Sequence, residues 1–177
     1  MVWFLFFMLS CITRHDFSYK LYPIDKKMEV FVIGEPQKNY SWTIEPNIRI
    51  CNSTEISVFR VNQALRYWEK LGYKFGSVYT DSSPLCMNAR FGEIVITLPE
   101  AGFGSGQIAS TKIYTHVKTN DIVKAKIFML PKNARKERVL EHEIGHALGW
   151  RHYNQKFHMM HSNWFLGGYD SKGLSNN

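Results

Sequence analysis

Between residues 142 and 152 the chain reads His-Glu-Ile-Gly-His-Ala-Leu-Gly-Trp-Arg-His, and no other stretch restricts the fold as much. His142 and His146 are four residues apart, so on an α-helix their rings leave one face, one turn above the other. Leu140, Ile144, Ala147 and Leu148 fall on a different face and can pack on a sheet. Gly149 can adopt positive φ at little cost, which ends the helix and lets the chain turn sharply. That turn would bring His152 round beside the other two rings. The fold must therefore bury one side of this helix and reserve the other for converging imidazoles.

Three imidazoles suit Zn2+ and leave one position open on a tetrahedral ion, the arrangement of a catalytic site rather than a closed structural one. Water at that position would have its pKa lowered towards about 7. Glu143, adjacent to His142 and three residues before His146, could reach such a water and act as general base. The competing reading is a catalytically inactive zinc-binding or structural module, with His158 or His161 closing the fourth position.

The eleven residues match H-E-x-x-H-x-x-G-x-x-H at every fixed position and resemble the zinc-binding signature of the metzincin metallopeptidases. The resemblance implies Zn2+ on His142, His146 and His152, Glu143 as the catalytic base, and Gly149 at the turn. It also implies a methionine beneath the metal. Met159 and Met160 follow His152, and the matrixin interval of eight residues selects Met160. Trp164 or Phe165 would then shape the specificity pocket, or simply pack on the surface. The activity implied is that of a zinc-dependent endopeptidase acting on protein or peptide substrates. The fold implied is an α+β, metzincin-like domain: a mixed twisted sheet with an antiparallel edge strand, one long packing helix and one zinc-binding active-site helix. Ile108 to Val117 would be that edge, with substrate lying along it as an added strand. The chain also departs from the pattern. Tyr153 follows the third histidine, and His161 and Ser162 follow Met160. No tyrosine stands two residues after Met160, and no P-R-C-G cysteine switch occurs. The chain therefore resembles a small, divergent, matrixin-like member.

The rest of the chain is compatible with that outline. Its 177 residues suit one domain, and an apolar content of 45% argues against disorder. Strands are expected at Asn47–Cys51, Lys74–Thr80, Gly92–Leu98, Ile108–Val117 and Ile122–Leu130. Asn52 to Glu55 has the N-x-x-E form of a helix start. Val58, Val61, Leu65 and Trp68 continue at helical spacing, with Gly72 closing the helix. A second helix is expected from about Ala134 to Leu148, then mostly loop. The glycine-rich Ala101–Gly106 reads as a connection rather than a phosphate loop. Residues 46–177 would form the catalytic domain, and 12–45 a leader, a short pro-segment or an arm packed on the domain.

The net charge is +7, but Lys and Arg are scattered along the chain, so a nucleic-acid partner is not expected and the protein reads as a monomer. The apolar run MVWFLFFML is far too short to span a bilayer. Residues 1–11 read as a signal peptide with a lipobox, since Met8-Leu9-Ser10 precedes Cys11; the alternative is an N-terminal strand. Lipidation of Cys11 would anchor the protein at the cell envelope; otherwise it would be secreted. Cys51 and Cys86 would then remain as an even pair able to form a disulfide. Free buried thiols are the alternative.

Overall fold

The computed structural model describes residues 34–99 and 107–176, together with the backbone of 6–10. The chain is α+β, built on one mostly parallel sheet with few helices. Its strands are β1 (Phe6–Ser10), β2 (Ser41–Trp42), β3 (Asn47–Cys51), β4 (Val78–Asp81), β5 (Glu93–Thr97), β6 (Ala109–Thr115) and β7 (Asp121–Met129). The helices are α1 (Val58–Glu69), α2 (Pro131–Ala134) and α3 (Val139–Ala147).

The sheet order is β1-β6-β7-β5-β3-β4, with β2 added in parallel at the start of β7. β4, β3, β5 and β7 run parallel; β6 is antiparallel to β7, and β1 is antiparallel to β6. The central strand β5, EIVIT, is buried at every position, as a parallel strand covered on both faces requires. On β7, Ala125 and Ile127 are buried while Lys124 and Lys126 are half-buried, so its two faces differ as the alternation predicts.

Helix α1 buries Val61, Ala64, Leu65 and Trp68 and leaves its other face to solvent. Trp68 crosses to α3, where its Nε1 donates to the carbonyl of Glu141 at 2.8 Å. Arg60 does the same from the first turn of α1, its guanidinium meeting both oxygens of Glu141 at 2.9 and 2.7 Å. On the opposite face of the sheet, Arg49 is buried between Asp81 (3.1 Å) and Glu93 (2.8 Å). Beside it Cys51 and Cys86 form a disulfide with Cα atoms 5.6 Å apart, pinning the loop that covers this face. A disulfide points to an oxidising compartment. No described helix is long and apolar enough to cross a membrane.

Three expectations need correction. Asn52–Thr54 forms only a 3-10 turn, because Glu55 is left-handed (φ 54) and cannot continue a helix. The working cap is Ser57, whose side chain accepts from the amide of Arg60. The second helix starts at Val139 rather than near Ala134, because Arg138 is also left-handed (φ 67) and separates α3 from α2. Finally, β6 is not a free edge: its outer side is taken by β1, whose backbone pairs Phe6 with Tyr114 through Ser10 with Ser110. Phe6–Ser10 thus adopts the N-terminal strand that was the alternative to an export signal. Ala101–Gly106 lies outside the described residues, as does Cys11.

Two residues ahead of β3, Gln37 and Trp42, meet the end of α3 and the turn after it. Trp42 donates its Nε1 to the carbonyl of Ala147 at 2.8 Å, and Arg151 N donates to Gln37 O at 2.9 Å. These contacts brace the C-terminal end of α3, where the chain must turn.

Candidate metal centre

Each histidine of the motif is placed by a different device. His142 and His146 are held by α3, with ring centroids 4.7 Å apart. His152 arrives after the turn at Gly149 (φ 99), where a β-carbon would collide with the backbone carbonyl of Tyr40. One ligand atom from each of the three rings lies within 4.8 Å of the others. Among the described residues these three form the one such cluster, and no fourth His, Cys, Asp or Glu joins it.

Backbone carbonyls set the orientation of two rings. Nδ1 of His142 donates to Met159 O at 2.8 Å, and Nδ1 of His146 donates to Trp150 O at 2.8 Å. A proton on Nδ1 leaves Nε2 with its lone pair, directed inward, the usual outer-shell arrangement of a metal-bound imidazole. Nε2 of His142 is buried without a hydrogen-bond partner. Nε2 of His146 lies 3.0 Å from Nε2 of His152. Two nitrogens on one tetrahedral zinc, each about 2.0–2.1 Å from it, sit roughly 3.3 Å apart. The orphaned nitrogen and this spacing fit a small cation among the three rings.

Burial keeps these imidazoles neutral, the form that binds metal. Desolvation holds His142 down at about 4, partly opposed by its bond to Met159. Desolvation likewise holds His152 at about 3, and pushes His146 well below the ordinary histidine range.

Glu143 is also deeply buried, and the Thr111 hydroxyl on β6 donates to its Oε2 at 2.6 Å. This fixes one carboxylate oxygen on the strand side of the helix. Met160 is fully buried against α3, and a β-carbon at Gly145 would overlap its sulfur. The same β-carbon would also overlap the buried Trp68 ring, so this turn of α3 has room only for a glycine. His158 has both ring nitrogens engaged, one by Lys172 O at 3.1 Å and the other by the Met160 amide at 3.1 Å. His161 accepts from the Asn163 amide at 2.9 Å and lines the neighbouring cavity rather than the cluster. Neither closes the site.

The cavity beside His142 and Glu143 is walled by Trp164 and Met159, whereas Phe165 meets Trp164 edge-on and is 84% exposed. Motif spacing could not have identified Thr111, Met159 O or Trp150 O. Thr111 sits on a strand remote in sequence, and backbone carbonyls carry no residue signature. No protein-family model and no curated protein matches this chain.

Proposed function

We propose that this chain is a zinc-dependent endopeptidase with a metzincin-like centre. The observation that carries the reading is the convergence of three imidazoles, two of them locked by carbonyls, next to a carboxylate on the same helix. His142, His146 and His152 would hold the ion. Zinc, when bound, acts as a Lewis acid toward the scissile carbonyl and makes water acidic enough to react near pH 7. Glu143 takes the proton of the attacking water and returns it to the leaving amine nitrogen. Thr111 positions that carboxylate, and Met160 packs closely on α3 at Gly145.

The antiparallel pairing of β6 fits the same reading. If export removes the chain ahead of Cys11, β1 leaves and the edge of β6 becomes available to an extended substrate. The mature protein would then be a secreted or Cys11-anchored monomer.

Glu143→Gln should lower casein digestion by about a thousandfold while one zinc per chain is retained. Digestion at the parent rate would defeat the mechanism. The burial of Glu143 favours a second reading, a zinc-binding module without turnover. That module would bind one zinc and cleave no member of a broad peptide library.

A further inference from the structure

One cation beside the metal centre has no task in the proposed reaction. Arg138 caps α3 in a left-handed conformation (φ 67), which is uncommon for a residue with a β-carbon. It lines the small cavity, open to solvent, that it shares with His142 and Glu143. The guanidinium stands 5.4 Å from the Trp164 ring and 6.0 Å from that of Tyr169. One N–H donates to Trp164 O at 3.3 Å. Gly167 leaves room for it: a β-carbon there would lie 3.1 Å from Nη1.

Close ion pairs among the described residues join Arg49 to Asp81 and Glu93, and Arg60 to Glu141. Arg138 is in none of them. An Arg carries five N–H donors in a rigid fork that matches a carboxylate, and a single long bond to a carbonyl leaves most of that capacity unused. Ile108, Val139 and Met159 supply apolar walls for the methylenes of an entering side chain.

We infer that Arg138 makes this cavity a receptor for a carboxylate, so that the protein selects substrates with Glu or Asp at the residue entering it beside the scissile bond. The inference rests on the peptidase reading. The rings of Trp164 and Tyr169 hold the guanidinium in place, and the fork takes the carboxylate while the chain is cut next to it. A partly desolvated, charge-assisted pair of this kind discriminates by about tenfold or more.

The test uses matched peptides, chosen from a library digest, that carry Glu or Gln at that residue. The zinc-loaded parent should cleave the Glu peptide with a kcat/KM about tenfold higher. Arg138→Gln should bring the ratio near unity, and Arg138→Lys should keep part of it; a zinc content of one per chain confirms that each variant is folded. In parallel, Trp fluorescence should report binding of the same peptides to Glu143→Gln protein with the same preference. Cleavage that favours apolar side chains and ignores Arg138→Gln overturns the inference and leaves the peptidase standing. If the parent cleaves nothing, the peptidase reading falls. Arg138-dependent binding of the Glu peptide would still support the receptor, and its absence would overturn that as well.

Discussion

Helices α1 and α3 both read from the sequence as one-faced helices closed by a glycine, and the structure treats them in opposite ways. α1 buries one stripe, Val61, Ala64, Leu65 and Trp68, and gives the rest to solvent. α3 is buried at all nine positions, including Glu141, His142, Glu143 and His146. Burying polar groups demands partners, and each finds one: Arg60, Met159 O, Thr111 and Trp150 O respectively. The exception is Nε2 of His142, the atom aimed into the cluster. α1 is thus held mainly by one apolar stripe, with Arg60 and Trp68 tied to Glu141, whereas α3 depends on particular pairings along its whole length.

The glycines that end the two helices should separate these cases most sharply. Both have positive φ, 89° at Gly72 and 99° at Gly149. A β-carbon at Gly72 meets nothing closer than 3.8 Å, while one at Gly149 overlaps the Tyr40 carbonyl. Gly72→Ala should cost about 1–2 kcal/mol, the left-handed penalty alone. Gly149→Ala adds a backbone collision and should cost at least about 4 kcal/mol, or prevent folding. Urea denaturation measures both; equal losses would mean that the end of α3 is no more constrained than that of α1.

A smaller effect should appear on acidification of the metal-free protein. Unfolded imidazoles take up protons near pH 6.5, whereas burial delays His142 to about 4 and His152 to about 3. Between those limits the unfolded chain binds more protons, so stability is fully present above about pH 6.5 and drains away as pH falls. His142 alone should account for a loss of about 3 kcal/mol by pH 4. Melting of chelator-treated protein across that range would show it, and His142→Gln should flatten the curve. A constant Tm would mean that the α3 face is not sealed from water as the structure has it.

The same contrast explains what could be read in advance. The apolar stripe of α1 and the spacing of His142, His146 and His152 are local, so the sequence displays them. Helix starts escape the pattern because they depend on single left-handed residues, Glu55 and Arg138, whose conformations no local rule demands. Ser57, not Asn52, caps α1, although Asn52-x-x-Glu55 has the better motif. The occupant of the outer side of β6 is more than ninety residues away in sequence, beyond the reach of any periodicity. The carbonyls that orient His142 and His146 belong to Met159 and Trp150, and any residue type could have supplied them.

The smallest expected effect lies on the solvent side of α1. Phe59 is 67% exposed, and its neighbour Arg60 turns the other way to reach Glu141. Removing the ring forfeits little buried area, and surface changes of this kind stay within about 0.5 kcal/mol. Phe59→Ser should therefore leave the denaturation midpoint almost unmoved, where Gly149→Ala removes most of the stability. A loss above about 1 kcal/mol would be informative in the other direction. It would mean that something covers the outer face of α1 in solution, a second copy of the chain or a partner. In that case α1, too, would be enclosed on every side, and the two helices would differ only in what encloses them.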